Sequence, residues 1–345
     1  MDEALITLDN VSVHFPVRTG FLSKPQIVHA LDQVNLTVRE GEVLGVVGES
    51  GCGKSTLGRV ILGLQQPTHG TVFVNGDIIR TNIRPGALAK RFGFQMVFQD
   101  PASSFNPRMR VRSIIAEPLS GLQLSSAQIA GRVNELLEDV GLDSGFADKY
   151  PEELSGGQQQ RVAIARALAP EPRLIVLDEA VSALDMSTQA KVLNLLKDLK
   201  DKYGVTYIFI SHDIASVKFM STRIVVMYLG HVVEIAGPQG IHEEALHPYT
   251  ICLHSAVPFP DSVIERTRTR IIPEGSVPSP ISPPHGCRFH TRCPIAQDKC
   301  SREEPLLMEY NERGFAACHY AGQFERLFEQ RRKQQHDPFR HTAIG

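Results

Sequence analysis

The run Gly48-Glu49-Ser50-Gly51-Cys52-Gly53-Lys54-Ser55-Thr56 has the makings of a phosphate cradle. Its glycines let the backbone close around an anion, and successive N–H groups at a helix N-terminus point at that anion with the helix dipole behind them. Lys54 can then reach the β- and γ-phosphates of a nucleotide, and the Ser55 hydroxyl can ligate magnesium. A chance glycine-rich turn would not carry the Lys-Ser pair in this register. Asp178 and Glu179 follow the apolar run Leu174-Ile175-Val176-Leu177, and His212 follows a second apolar run at 205–210. Both runs read as strands that deliver these groups to their C-terminal ends, where open parallel sheets bind ligands. Leu154-Ser155-Gly156-Gly157-Gln158 is a second potential anion cradle ahead of an Ala-rich helix, although Ser-Gly-Gly also makes an ordinary N-cap.

The elements that must position these groups alternate between strand and helix. Val43-Leu44-Gly45-Val46-Val47 reads as a buried strand feeding the phosphate loop, and 57–62 as the helix leaving it. Residues 5–15 alternate apolar and polar side chains, and 34–38 and 70–77 give further strand signals, the last ending in an Asn75-Gly76 turn. After a strand at 94–98 the pattern turns helical to about Tyr150, with a capping box at Ser125 and Gln128, an apolar face of Val133, Leu136, Leu137 and Val140, and Gly141 as the stop. A helix over 187–202 and a hairpin at Gly230 complete the core. The expected fold is α/β: a P-loop NTPase (RecA-like) core with a parallel sheet, an N-terminal antiparallel β part, an inserted α-helical subdomain at about 100–165 and a small C-terminal Cys-rich region. The expected boundaries are a cassette over 1–257, a proline-rich linker over 258–284, the Cys-rich region over 285–330 and a polar, solvated or disordered tail over 331–345.

With 345 residues the chain has room for two or three domains. A net charge of −2 argues against a broad nucleic-acid surface. No apolar run approaches the roughly 18 to 20 residues of a spanning helix, so the chain is expected to stay in the cytoplasm. Four of the six cysteines crowd near the C-terminus, which in a reducing compartment points to a metal rather than to disulfides.

Taken together, the motifs resemble the ATP-binding subunit of ABC transporters across residues 5–256. In that pattern Gln99 belongs to the glutamine loop, 154–158 is the signature, Asp178 closes the Walker B strand with Glu179 after it, Ser182-Ala183-Leu184-Asp185 is the D-loop and His212 is the switch histidine. The resemblance implies ATP and Mg2+ as cofactors, with Ser55, Gln99 and Asp178 around the metal and Lys54 on the phosphates. It further implies that Glu179 orients or deprotonates the attacking water, that His212 contacts the γ-phosphate and that Phe15 stacks on adenine, unless Phe15 is only a strand-end core residue. Ser155, Gly156, Gly157 and Gln158, with Asp185, would serve the nucleotide of a second cassette. The flanks, including Phe98-Gln99-Asp100-Pro101 and His247-Pro248-Tyr249-Thr250, look like the dipeptide/oligopeptide/nickel importer ATPases. Ala180 departs from that family's usual proline, for which a change in local stiffness is expected.

That family implies two transmembrane permease subunits, a second ATPase subunit that is commonly a paralogue, an extracytoplasmic solute-binding protein, and a peripheral place on the cytoplasmic face of the inner membrane. The permease surface is expected around Gln99 and the helical unit, with Phe105-Asn106-Pro107 as a contact candidate. Nucleic acid is not expected. A soluble ABC ATPase of translation or DNA repair is the alternative, but those usually carry two cassettes or a long coiled-coil insertion. An iron–sulfur sensor or scaffold would leave the ATPase motifs unexplained. The set Cys287-x5-Cys293-x6-Cys300-x17-Cys318 is spaced too widely for paired zinc knuckles. It resembles the cysteine set that carries a [4Fe–4S] cluster in some peptide-importer ATPases; structural zinc and unliganded thiols are the alternatives. Cys52 and Cys252 suit small packing positions.

Overall fold

The computed structural model describes residues 4–18, 25–79, 91–256, 271–310 and 313–335. Its centre is a mostly parallel sheet in which the strand Val43–Val47 lies between Arg223–Tyr228 and Thr206–Ile210, with Leu174–Asp178 and then Phe94–Val97 beyond the latter. The strands β3 (Val43–Val47), β6 (Phe94–Val97), β7 (Leu174–Asp178), β8 (Thr206–Ile210) and β9 (Arg223–Tyr228) run parallel. Every residue of β3, β7 and β8 is buried, as the continuous apolar runs require of strands covered on both faces. The Gly230 turn joins β9 to β10 (His231–Ala236) antiparallel, as expected for the closing hairpin.

A second, antiparallel sheet carries β2 (Gln26–Arg39), β1 (Ala4–Val17), β4 (His69–Val74) and β5 (Asp77–Ile79) in that order. It packs over one face of the central sheet with the helix Lys54–Ile61 between them, and Leu5, Leu31, Val46, Leu57 and Ile208 share that apolar layer. The opposite face is covered by the inserted helical unit and the helices Gly156–Leu168 and Met186–Tyr203, which bury Val97, Leu136, Ile164, Leu177 and Leu196 in a second layer. The helical unit forms as the sequence dictates: Ser125 and Gln128 close a reciprocal capping box on the helix Ser126–Asp139, and Gly141 leaves it in the left-handed region at φ 69°.

The Cys-rich segment does not stand apart. Its short strand β12 (Phe315–Ala316) pairs with β10 through Glu234 and Ile235, and β11 (Met308–Glu309) pairs with β12, so the segment extends the cassette's own sheet. The helix Phe324–Gln335 runs past Arg331, so the first part of the polar tail is helical rather than disordered; 336–345 lie outside the described residues. Residue 257 and residues 258–270 of the proline-rich stretch are likewise outside them.

Candidate functional site

The parallel register places the chemistry at one edge. Asp178 on β7 is the Cα partner of Ile210 on β8, so Glu179 and His212, one and two residues further on, emerge side by side. The Glu179 N–H donates to the Ile210 carbonyl at 2.9 Å, and its Oε2 lies 3.6 Å from His212 Nδ1. Glu179 holds φ at 50°, a left-handed backbone that a non-glycine residue adopts at a cost of about 1–3 kcal/mol and that is typical of functional turns. The conformation turns the carboxylate from the strand direction toward the site. Ala180 behind it is buried in the core.

The phosphate loop needs its glycines for space as well as for φ. A Cβ on Gly48 would lie 2.3 Å from the Met227 carbonyl, and one on Gly53 the same distance from that of Ala30. Gly53 is the N-cap of the helix Lys54–Ile61, in the left-handed region and with no side-chain cap, so the first amides of that helix remain open to an anion. Lys54 is buried, and its Nζ donates to the carbonyls of Gly48 at 2.8 Å and Glu49 at 3.0 Å. Ser55 donates its hydroxyl to Asp178 Oδ1 at 3.0 Å, which brings two potential oxygen ligands of a hard divalent cation together from positions 123 residues apart. Burial raises the Asp178 carboxyl, and the adjacent Glu179 charge adds to the rise. Cys52 is buried under the loop, Ser50 and Gly51 border it, and Thr56 follows Ser55 into the helix.

Gln99 follows the end of β6, on the same edge, and is exposed. Among the described residues no hydrogen bond joins it to Ser55 or Asp178. Phe15, a Cα partner of Val28, is half-buried against the antiparallel sheet's core. Ser155 caps the helix Gly156–Leu168: its side chain accepts from Gln158 N–H, and the Gln158 side chain accepts from Ser155 N–H at 2.9 Å. The Gln158 side chain is thus engaged within its own chain. Asp185 accepts from Thr188 N–H at 3.0 Å as N-cap of the helix Met186–Tyr203, and that contact lowers its carboxyl. Ser155 and Gly156 are exposed. Of the candidate contact Phe105-Asn106-Pro107, Phe105 is withdrawn, 5% exposed with Arg166 over its ring, while Asn106 and Pro107 are exposed. The apolar surface beside Gln99 comes instead from Phe98, 40% exposed, over a groove of about 640 Å³ lined also by Leu62, Leu64, Met96 and Pro118.

Two positioning residues escaped the sequence reading. Arg292, in the Cys-rich segment, binds both carboxylate oxygens of the phosphate-loop residue Glu49, at 2.8 and 3.1 Å. The Tyr249 hydroxyl accepts from Glu49 N–H at 2.8 Å. Tyr249, Tyr228 and Phe289 pack ring against ring with centroids 4.7 to 5.3 Å apart, so the Cys-rich segment and the phosphate loop share one aromatic support. No local signal could reveal a pair 243 residues apart.

Cys287, Cys293, Cys300 and Cys318 line one small cavity, with Phe289 and Ile295. No disulfide joins the described cysteines. Burial pushes the Cys287 thiol up to about 11 and the Cys318 thiol to about 12, and raises Cys293 as well. Thiols in such surroundings ionise when a metal takes the charge. A lone zinc ion would hold its sulfurs about 3.8 Å apart, given Zn–S bonds of about 2.3 Å. Among the described residues the four sulfurs do not gather as tightly as a lone zinc would hold them.

Comparison with known proteins resolves the family. A model described as ABC transporter matches residues 31–182, and one described as Oligopeptide/dipeptide transporter, C-terminal region, matches 233–300. The Oligopeptide transport ATP-binding protein OppF of Escherichia coli (strain K12) is 47% identical over 311 residues, covering 88% of this chain and 93% of that protein. The chain belongs to the ABC transporter ATP-binding family. It is an ABC-type ATPase with the P-loop NTPase fold. The Oligopeptide transport ATP-binding protein AppF of Bacillus subtilis (strain 168) is 46% identical over 321 residues, 92% of this ABC ATPase and 97% of the relative. Among solved structures, the dimeric post-hydrolysis state of the ATP-binding cassette MJ0796 bound to ADP and Pi matches with a TM-score of 0.59 and 33% identity, covering 68% of this chain and 98% of that one. No helix among the described residues is long and apolar enough to cross a membrane.

Proposed function

We propose that this ABC ATPase drives an importer of oligopeptides, dipeptides or related small solutes. The reading is carried by the meeting of Lys54, the Ser55–Asp178 pair and the Glu179–His212 contact at one sheet edge, in a chain that matches both transporter models. The names of the relatives support the peptide class. Bound Mg2+ would supply charge neutralisation at the β- and γ-phosphates, with Ser55, Asp178 and Gln99 to hold it. Lys54 and the open amides after Gly53 receive the phosphates, Glu179 takes the proton of the attacking water, His212 contacts the γ-phosphate, and Phe15 offers its ring to adenine. The exposed Ser155 and Gly156, with Gly157, Gln158 and Asp185, serve a second cassette's nucleotide, so two ATPase subunits are needed.

In this reading the second ATPase is a paralogue, two permease subunits seat on the groove beside Phe98, and a solute-binding protein feeds them from outside. The subunit then works peripherally on the cytoplasmic face of the inner membrane. A soluble ABC ATPase of translation or DNA repair is not favoured, since the C-terminal match is to a transporter region. Deleting the chain from its own cell is expected to abolish ATP-driven uptake of labelled di- or oligopeptides, with recovery on re-expression of the wild type. Recovery with a Glu179→Gln copy would overturn the reading.

The four cysteines share one cavity, which supports a [4Fe–4S] cluster as their ligand. Protein purified without oxygen is expected to be brown and to hold about four irons per chain, and Cys293→Ser to lose the colour. A folded, colourless, iron-free wild type, or one loaded with zinc alone, would remove the cluster.

A further inference from the structure

A second constellation lies away from both the phosphate loop and the cysteines. His14 on β1 and His29 on β2 are direct Cα partners across the antiparallel pair, with ring centroids 4.4 Å apart. Asp32, three residues beyond His29, presents its carboxylate to both: His14 Nε2 lies 3.7 Å from Oδ1 and His29 Nδ1 lies 3.5 Å from Oδ2. These separations are too long for hydrogen bonds. Both nitrogens are buried and have no hydrogen-bond partner, as has Nε2 of His231, 3.8 Å from Asp32 Oδ2. A structural His–Asp network would close such contacts, because each buried unsatisfied polar atom costs about 1–3 kcal/mol. A tetrahedral ion with bonds of about 2.0–2.1 Å instead holds its ligand atoms about 3.3 Å apart, somewhat closer than the 3.5 and 3.7 Å at which the two imidazoles face the two oxygens of Asp32.

The surroundings are those of a ligand set. One ligand atom each from His14, His29 and Asp32 lies within 4.8 Å of the other two. Arg288 pairs with Asp32 Oδ2 and donates to the Leu229 carbonyl at 2.5 Å, so the carboxylate is anchored from outside. His231 Nδ1 lies 3.1 Å from a Glu304 carboxylate oxygen, and its Nε2 faces Asp32 Oδ2 at 3.8 Å. Such outer contacts orient ligating carboxylates and imidazoles in metal sites.

We propose that His14, His29 and Asp32 form a binding site for one borderline divalent ion, Zn2+ by its ligand chemistry, with His231 at its margin. Mixed imidazole and carboxylate donors suit zinc, whereas the oxygen set at Ser55 and Asp178 suits magnesium. The ion would pin the β1–β2 ladder beside Phe15 and, through Arg288, tie it to the segment that begins the cysteine set.

The test uses the full-length chain and Co2+ as a spectroscopic stand-in for Zn2+, because cobalt on sulfur shows intense charge transfer and cobalt on nitrogen and oxygen does not. A single equivalent is expected to bind without the sulfur band and to be displaced by Zn2+. His14→Gln and His29→Gln should each weaken that binding at least about tenfold, leave any sulfur-bound cobalt unchanged, and abolish the rise in Tm that Zn2+ gives the wild type. Wild-type cobalt found only on sulfur would overturn the site whether or not the variants fold. So would unchanged affinity in both variants.

Discussion

Replacing Glu179 by Gln is expected to lower steady-state ATP hydrolysis in the assembled complex by about 10²–10⁴-fold, the usual worth of a positioned general base, while ATP still binds. The substitution keeps the shape of the side chain and removes the basicity that a neighbouring water would use. Glu179 sits beside His212 and one residue after Asp178, so Lys54 and the Ser55–Asp178 pair are untouched by the change. Gel filtration with radiolabelled ATP should then recover nucleotide with the variant and phosphate release should stall. Unchanged turnover would remove Glu179 from the chemistry, and loss of ATP binding would give it a ground-state role instead.

Arg292→Met is expected to weaken ATP binding about tenfold, equivalent to about 1.4 kcal/mol, although Arg292 lies far from the nucleotide motifs in the chain. Arg292 is buried and holds the Glu49 carboxylate, and Glu49 sits between Gly48 and Ser50 in the phosphate loop. Removing the cation leaves a partly buried carboxylate without its partner. Breaking a fully buried pair costs about 3–5 kcal/mol, and solvent reaching Glu49, 27% exposed, reduces that to about 2 kcal/mol. The loop should therefore loosen, with KM for ATP rising more than kcat falls. Adding Glu49→Gln to Arg292→Met should recover most of the Tm and part of the KM, because no bare charge is then left behind. A variant that melts earlier with an unchanged KM would confine Arg292 to packing.

The elements around the site were legible because their signals are local. Continuous apolar runs marked β3, β7 and β8, each buried on both faces. Capping boxes at Ser125 and Ser155 began the helices where the side-chain chemistry placed them. Phe105 went the other way, since an aromatic next to an Asn-Pro pair looks like a surface loop, while Arg166 reaches across to cover it. The Cys-rich segment looked separate because a proline-rich stretch precedes it, yet the open edge of β10 recruits β12.

By itself the sequence determined the kind of site: a glycine-rich phosphate loop with a lysine and a serine, two carboxylates and a histidine at strand ends, and a second Ser-Gly-Gly helix start. These are set by residue types within a few positions of one another, where backbone geometry leaves little choice. Only the tertiary structure decided which distant groups meet. It joined Ser55 to Asp178, set Arg292 on Glu49, gathered four cysteines at one cavity and brought His14, His29 and Asp32 together. Those pairings depend on sheet order and register, which bring residues far apart in the chain within a few ångströms and leave no periodic trace in the sequence.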